Sequence, residues 1–477
     1  MTDLFNWLAN HESGLSAIAA MMAIVAGVVV VLSPLGAGIR GFFSGDNKAG
    51  SGQSQPEQEL ASTKAQIIEI NTPPPLITDK PSIAVLPFVN MSDDKSQEYF
   101  ADGMTEDIIT GLSCDSRLFV IARNSTFAYK GQSPDIRTVG KELGVRYVLE
   151  GSIRPINDRL RITTQLIETE TGTHVWAEKI DRPAAEIFDI MDDVVDGIVI
   201  ALCSNIRVAE SDRAGRQRPE ELNAWALCVR AEILFISQPD SEAVSRAIDL
   251  AQRATEIEPG YAASWALLAM LTSVRVTNGL SGNLAEDSEQ ALSLAGKALK
   301  LAPNDPHVLS CCGFAATWAG QAAQAIGYLE RSLTINPNNS FARLYYGAAL
   351  YCDTRLEDCL EQLQLFIQRS PRDLYIGVAI FHLALCYVSL KDYEQAEHEA
   401  RVAIKHTPGF GWNYITLAMA LSGLGRDSEA QAQIQQFNKL ESVLTRQRIE
   451  DIFHLWIEEP KHVEQLISLL RQAWADS

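Results

Sequence analysis

The chain has 477 residues, of which 47% are hydrophobic, and a formal net charge of −20. The apolar fraction is ample for packed cores, and the length predicts about three structural units. Nucleic-acid binding is not expected, because no block of five or more Lys and Arg residues provides the positive surface that it requires.

The most apolar stretch lies near the N-terminus. Between Glu12 and Arg40 there is no charged residue, and the run LSAIAAMMAIVAGVVVVL begins at Leu15. At 1.5 Å per residue this run can cross a bilayer core of about 30 Å, and the acidic start lacks the basic residues of a cleaved signal peptide. We therefore predict a short tail at residues 1–14 and one N-terminal transmembrane helix at residues 15–38.

Residues 39–80 have the composition of a linker. Gly, Ser, Gln and Asn are concentrated in residues 44–56, and three consecutive prolines stiffen the end of the segment from Pro73. Such a sequence buries too little apolar surface to fold alone. We predict a disordered Gly/Ser/Pro linker here.

Residues 81–215 combine helical and strand patterns. Short apolar runs followed by helical spacing indicate two βα units, and the pattern then changes to a period of two, with Leu160 buried and Arg161 exposed. This order predicts an α/β domain of βα units plus an antiparallel meander. The predicted strands are 82–90, 118–122, 145–156, 160–168 and 174–180, and the predicted helices are 98–112, 135–143 and 185–208.

Four stretches of this domain carry a family resemblance. They are PSIAVLPFVNMSDDKSQEYFADGMTEDIITGLS, FVIARNSTFAYKG, VRYVLEGSIRPINDRLRITTQLIETETGTHVWAEKIDR and IFDIMDDVV. Together they resemble the bacterial TolB-N-like domain, which typically precedes tetratricopeptide (TPR) repeats. The resemblance also implies relatives with a class III adenylate cyclase or winged-helix domain ahead of the membrane span. Since residues 1–14 are too few for either, we expect no enzymatic activity.

The C-terminal half contains prolines at nearly constant intervals. Successive prolines are 34, 34 and 37 residues apart, and an earlier copy of the repeated segment ends at Pro259. This period predicts a stacked array of helical hairpins. Segments such as LERSLTINP resemble the TPR, which implies an all-α TPR solenoid of about five or six repeats over residues 220–440. The prolines are Pro303, Pro337, Pro371 and Pro408.

Small residues at fixed distances before each proline predict where the two helices of a hairpin meet. Counting back from Pro337 gives Gly313, Ala325 and Ser332, and counting back from Pro371 gives Gly347. Small side chains let paired helices approach closely.

Two departures from the period have structural interpretations. The interval before Pro303 is 44 residues, counted from Pro259, and we place the extra residues in a loop insertion at 277–282. Residues 441–477 break the pattern and predict a C-terminal helical cap, which the open end of a solenoid requires.

The TPR resemblance implies which residues line the concave groove. In the family, helix A presents its second, fifth, ninth and twelfth residues inward, and in this chain those positions are mainly apolar and aromatic. The line lacks Lys and Arg to clamp a carboxylate, so we expect a protein or peptide partner with an apolar or amphipathic segment. Two alternatives stay open: the cap fills the groove, or the register is shifted by one. The predicted partner-binding residues are Phe314, Phe341, Leu344, Tyr351, Phe381, Trp412 and Met419.

Patterns for catalysis, cofactors and metals are absent from the sequence. It contains no GxxxxGK[ST], HExxH or GxSxG, and its eight cysteines form no CxxC and are expected to be reduced core thiols. Asp102 and Glu106 flank Gly103 at the first helix and form a possible ligand site, or they merely favour the helix N-terminus electrostatically. We predict no cofactor, no metal and no catalytic residue.

These features favour a membrane-anchored scaffold that binds protein partners through its TPR solenoid, in bacterial signalling or envelope assembly. The alternatives are a ligand sensor with the α/β domain as input, and an adenylate cyclase-related protein without its catalytic domain. The predicted location is the bacterial inner membrane. Arg40 and Lys48 favour a cytoplasmic soluble part, whereas the family resemblance implies a periplasmic one, so orientation stays open.

Overall fold

The structure is a computed structural model that describes residues 80–92, 97–183, 191–216, 222–237, 241–371, 373–440 and 444–474. All of these residues belong to one compact unit. The predicted tail, transmembrane helix and linker lie outside the described residues, apart from Lys80 at the end of the linker.

The first part is a six-stranded sheet with helices on both faces. Its strands are β1 Ser82–Val85, β2 Val89–Asn90, β3 Phe119–Val120, β4 Tyr147–Ile156, β5 Arg159–Glu168 and β6 Thr173–Pro183. The helices are α1 Gln97–Ser113, α2 Arg123–Thr126, α3 Ile136–Leu143 and α4 Met191–Gly215. The sheet order is β3-β1-β4-β5-β6, with β2 beside β4. Strand β1 is parallel to β3 and β4, whereas β4, β5 and β6 are antiparallel, as the βα units and meander predict.

Side-chain alternation explains how the sheet is covered. Along β5, Leu160 and Ile162 are buried in the core that α1 and α4 share with the sheet, and Arg161 between them is only half-buried. Helix α3 covers the opposite face through Val139. It ends at Gly144, whose φ of 64° is the left-handed conformation that glycine adopts most easily.

Six helical hairpins follow within the described residues. They are α5 Ala224–Ser237 with α6 Ser241–Ile257, α7 Ala262–Thr277 with α8 Leu284–Leu301, α9 Pro306–Trp318 with α10 Ala322–Ile335, α11 Ser340–Cys352 with α12 Leu356–Arg369, α13 Ile376–Leu390 with α14 Tyr393–His406, and α15 Gly411–Gly423 with α16 Asp427–Leu440. Each repeat proline comes shortly after the second helix of a hairpin. The predicted TPR-like helical solenoid is therefore confirmed.

Close helix contact inside the hairpins depends on the predicted small residues. A Cβ atom added at Gly313 would lie 2.5 Å from Cγ of Leu329, and one added at Gly347 would lie 2.9 Å from a methyl group of Leu363. Neither distance is compatible with a real side chain in this position. The glycines therefore fix the separation of α9 from α10 and of α11 from α12.

Two further helices cap the array. They are α17 Arg446–Trp456 and α18 Pro460–Trp474. Helix α18 packs against α13, α15 and α16, while α17 crosses the inner side and reaches α9. The predicted insertion meets this cap, because Arg448 donates a hydrogen bond to the carbonyl oxygen of Ser281 and Leu444 lies against Gly279.

A buried ionic cluster joins the α/β domain to the solenoid. Arg117 Nη2 lies 2.7 Å from Asp115 Oδ2 and its Nη1 lies 3.9 Å from Glu232 of α5. Glu232 is also approached by Arg207 of α4 at 3.8 Å and by His307 of α9 at 3.4 Å. Burial opposes ionisation of Asp115, but Arg117 more than offsets it and holds the pKa of this carboxyl well below its usual range.

The prediction of a single-pass protein of the inner membrane is corrected. In the ranges that the structure describes, no helix is both long and apolar enough to span a bilayer. The apolar helix α13, for example, has 15 residues, which at 1.5 Å per residue is shorter than the bilayer core of about 30 Å. The segment 15–38, on which the prediction was based, lies outside the described residues.

Candidate functional site

The inner side of the solenoid contains an aromatic cavity of about 490 Å³ that is partly open to solvent. The first helix of every hairpin contributes to its wall, as do the end of α14, the loop before α15 and the cap helix α17. More than half of the lining residues carry an aromatic ring. The aromatic residues that line the cavity are Phe235, Phe314, Trp318, Tyr345, Tyr375, Phe381, His382, His406, Phe410, Trp412 and Trp456.

The walls of the cavity are joined by contacts between parts of the chain that are distant in sequence. Trp412 Nε1 on α15 donates a hydrogen bond of 3.1 Å to the carbonyl oxygen of Thr277 at the end of α7. The ring of Trp456 lies between two other indoles, with centroids 4.5 Å from Trp318 and 5.2 Å from Trp412. The curvature of the array thus brings its second, third and sixth hairpins and its cap to one site.

The structure brings together part of the predicted partner-binding set. Phe314, Phe381 and Trp412 line the cavity, and Phe341 stacks on Phe314 with ring centroids 5.8 Å apart. Leu344, Tyr351 and Met419 lie outside the cavity wall, and all three are buried.

The cap packs against one part of the inner side. The hydroxyl groups of Tyr351 and Ser389 are 2.9 Å apart, and His462 of α18 approaches the same Ser389 hydroxyl at 2.7 Å. Around Tyr351 the cap helix α18 therefore covers the inner side. Around Trp456 it is a wall of the cavity instead.

Several wall residues were not predicted. Tyr345 and His382 each follow a predicted residue by one position, so a register shift of one would have found them. The sequence predicts Trp456 only as part of the cap, because no repeat pattern says that a C-terminal helix returns to the inner face.

His382 is the most unusual polar residue of the wall. Its Nδ1 lies 2.8 Å from the carbonyl oxygen of Val378, and the residue is 3% exposed. Burial lowers the pKa of His382 to about 4, against the opposing effect of the hydrogen bond to Val378. The imidazole is therefore neutral at pH 7.

The second predicted site consists of surface ion pairs. Asp102 Oδ2 lies 2.6 Å from Lys130 Nζ, which also lies 2.9 Å from Glu98. Glu106 pairs with Arg123 at 3.2 Å. Each carboxylate is thus balanced by a cation of its own domain, and the described residues contain no group of three His, Cys, Asp or Glu that could hold a metal ion.

Comparison with known families and proteins gives matches to parts of the chain. Residues 78–196 match the model of the second domain of HilA/YgeH-like transcriptional regulators, so the TolB-N-like assignment of this domain is not confirmed. A protein of Rhizobium meliloti (strain 1021) named "Putative adenylate cyclase 3" is 44% identical over 253 residues. This alignment covers 53% of the chain and 43% of that relative, so the chain spans less than half of the relative's length.

Solved structures with similarity to the chain include three helical-repeat proteins. The crystal structure of MamA has 23% identity and a TM-score of 0.28, covering 33% of this chain and 90% of MamA. YrrB, described as a TPR protein with an unusual peptide-binding site, has 16% identity and a TM-score of 0.27, covering 40% and 92%. The human IFIT1 dimer with PPP-AAAA has 16% identity and a TM-score of 0.41, covering 56% and 61%.

Proposed function

We propose that the chain is a binding scaffold whose inner cavity holds an apolar or amphipathic segment of a protein partner. The observation that supports this most is the aromatic cavity itself. Its volume of about 490 Å³ lies in the range of roughly 300–1,000 Å³ that is usual for binding pockets. A cavity of this size has room for anchoring side chains of a peptide.

The chemistry of the wall supports a partner without charge at the point of contact. The described residues that line the cavity include no Asp, Glu, Lys or Arg. Aromatic side chains that pack against one another, such as Phe314 and Trp318, bury large areas. Tryptophan and tyrosine are enriched among the few residues that dominate the binding energy of protein interfaces.

The α/β domain fits the role of a rigid support for the solenoid. It is attached through the cluster around Glu232, and Ser116 donates a further hydrogen bond of 3.0 Å to Asp305 at the start of α9. We propose that it fixes the first hairpins, so that the cavity keeps its shape in the absence of a partner.

A link to cyclic-AMP signalling is a second candidate, which the name of the Rhizobium relative favours. A cyclase assay on the purified chain with ATP and Mg²⁺ or Mn²⁺ distinguishes the two. The scaffold proposal predicts no cyclic AMP above the level of a heat-denatured sample, and robust turnover would contradict it.

Selection of peptides from a random library tests the scaffold proposal. The full chain serves as bait, and selected peptides are measured by calorimetry against two variants of α13. Val378→Trp places an indole in the cavity, whereas Leu390→Trp places one at an exposed position of the same helix. We expect binding to be lost in the first variant and kept in the second. Equal binding to both variants, or a library that yields no binder, would refute the proposal.

A further inference from the structure

One face of the sheet is largely uncovered in the part of the chain that the structure describes. Helices α1 and α4 share a core with the opposite face, and α3 packs on this face only at one end, around Val148. Beyond Val148, every position of this face on β4, β5 and β6 is half-buried or exposed. These positions, here called the open face, are the even-numbered residues 150–156 and the odd-numbered residues 159–165 and 177–183.

The strand register gathers positive charge on the open face. Arg154 of β4 lies directly opposite Arg161 of β5, and Asp181 of β6 is next in the same row. Arg159 is two positions from Arg161 along β5, and Lys179 is two positions from Asp181 along β6, so both are on the same side of the sheet. In antiparallel strands, the Cβ atoms of opposite residues are about 4.5–5.5 Å apart. Four cations therefore share one corner of the sheet.

A single carboxylate at this corner serves two of the four cations. Asp181 accepts hydrogen bonds of 2.7 and 2.8 Å from Nε and Nη2 of Arg161, and its backbone carbonyl oxygen accepts one of 3.0 Å from Arg159. The hydrogen bonds from Arg161 chiefly, with the nearby charges of Arg159 and Arg154, lower the pKa of Asp181 below its usual range. Arg154 and Lys179 form no hydrogen bond or ion pair with any described residue.

The stability of the sheet does not explain this arrangement. Like charges directly opposite each other destabilise a strand pair, so Arg154 and Arg161 weaken the contact between β4 and β5. The other carboxylate of the open face, Glu150, is four positions from Arg154 along β4, about 13 Å at 3.3 Å per residue. The open face is thus locally positive on a chain whose formal net charge is −20. Such a surface favours a partner of opposite charge.

Exposed apolar side chains lie beside the cations. Val89 of β2 is in register with Ser152, and Asn90 is in register with the core residue Ile153. Since side chains alternate along a strand, Val89 and Met91 are both on the side of the open face. Their exposed fractions are 55% and 61%. A partner on this face therefore meets an apolar margin as well as positive charge.

We propose that the open face binds an acidic segment of a protein partner that also carries an apolar side chain. Carboxylates of the segment pair with Arg154 and Lys179, and its apolar side chain covers Val89 and Met91. A protein segment fits better than a nucleic acid, because the open face has no Phe, Tyr or Trp on which bases could stack. This surface is separate from the inner cavity, and the inference does not rest on the function proposed above.

The test uses a fluorescent peptide of Glu and Leu residues, titrated with the full chain at low ionic strength and followed by anisotropy. We expect Arg154→Glu/Lys179→Glu to weaken its binding on the order of tenfold, because attraction becomes repulsion. The matched control is Lys300→Glu/Lys439→Glu, which makes the same change of charge at exposed positions of α8 and α16 and should change affinity by less than about twofold. A wild-type chain that does not bind the peptide, or equal weakening by both double variants, would overturn the inference.

Two further probes test the chemistry of the partner. A peptide with Ser in place of Leu should bind several-fold more weakly, and equal affinity would contradict the apolar contact with Val89 and Met91. A short oligothymidylate that binds more tightly than the peptide, and is lost in Arg154→Glu/Lys179→Glu, would overturn the inference in favour of a nucleic acid. The cavity variant Val378→Trp should bind the acidic peptide like the wild-type chain, so this surface and the cavity are tested separately.

Arg154→Thr distinguishes a binding role from a structural one. It removes the repulsion from Arg161 and places a residue favoured in strands on β4. We expect a urea midpoint at or above that of the wild-type chain, together with weaker binding of the acidic peptide. Lys179→Thr provides the same comparison on β6 if the first variant does not fold. A lower midpoint with unchanged peptide affinity would show a structural role and contradict the proposal.

Discussion

The indole of Trp412 donates a hydrogen bond of 3.1 Å to the carbonyl oxygen of Thr277, a residue 135 positions earlier in the chain. Thr277 ends α7 in the second hairpin and Trp412 is near the start of α15 in the sixth. The bond spans the inner side of the solenoid and shows that the curvature of the array brings distant hairpins together. It also holds two walls of the cavity in place.

Replacement of Trp412 by Phe should destabilise the fold. Phe keeps most of the ring but leaves the Thr277 carbonyl without its donor, which costs about 1–3 kcal/mol. Urea unfolding at pH 7 measures this loss. The matched control is Tyr414→Phe on the same helix, which removes a local hydrogen bond to Pro408 at the surface and should change stability by less than about 0.5 kcal/mol. Similar effects of the two substitutions would contradict the prediction that Trp412 holds the second and sixth hairpins together.

A methyl group at Gly313 should force the third hairpin apart. The new Cβ would lie 2.5 Å from Leu329, and we expect Gly313→Ala to cost about 1–3 kcal/mol, as overpacking of a core does. Gly327 lies on the partner helix α10 with no atom within 4 Å of an added Cβ. Gly327→Ala should therefore be stabilising by about 0.5–1 kcal/mol, because alanine favours the helix. Thermal unfolding of both variants measures these changes in stability. A destabilised Gly327→Ala together with an unaffected Gly313→Ala would contradict the prediction.

The buried imidazole of His382 should make stability depend on pH. Its pKa is about 4 in the folded chain against 6.5 ordinarily, so between these values the unfolded chain binds more protons. Stability therefore rises with pH in this window and is lost as pH falls, by about 2 kcal/mol between pH 7 and pH 5.

Two variants test whether His382 causes this pH dependence of stability. In His382→Phe the difference between the urea midpoints at pH 7 and pH 5 should be clearly smaller than in the wild-type chain. His398 is exposed on α14, and His398→Gln should keep the difference. A His382→Phe chain with the full wild-type pH dependence would contradict the assignment.

Removal of the cation at the domain junction should be costly. Arg117→Met leaves the buried carboxylate of Asp115 without its partner, and breaking a buried pair in this way typically costs about 3–5 kcal/mol. Arg355 forms an exposed pair with Asp358 on α12, so Arg355→Met should cost less than about 1 kcal/mol. Chemical unfolding compares the two, and equal small losses would mean that the junction does not depend on Arg117.

The period of the sequence predicted the hairpins because their packing is local. Gly313 and Leu329 meet within one repeat, so small residues at fixed distances before a proline are enough to predict where the two helices of a hairpin pack together. The alternation of Leu160 and Arg161 predicted β5 for the same reason, since each position depends only on which side of the sheet it faces.

The cavity could be predicted only in part, because it depends on contacts between distant repeats. Phe381 belongs to the inner face of its own hairpin, and the TPR pattern identifies it. The position of Trp456 depends on the total curvature of six hairpins and on the contact between the insertion and the cap. No local sequence pattern predicts the curvature or this contact. Nε2 of His382 is buried with no hydrogen-bond partner among the described residues, and this too depends on the positions of neighbours from several repeats.

Hydrogen exchange on the full chain, with and without a saturating selected peptide, tests the central claim most directly. A partner in the cavity should slow exchange in the inner helices α13 and α15 and in the cap helix α17, which carry Phe381, Trp412 and Trp456, and should leave the outer helices α10 and α12 unchanged. Protection confined to the outer helices or to the α/β domain, with α13 and α17 unchanged, would contradict the account.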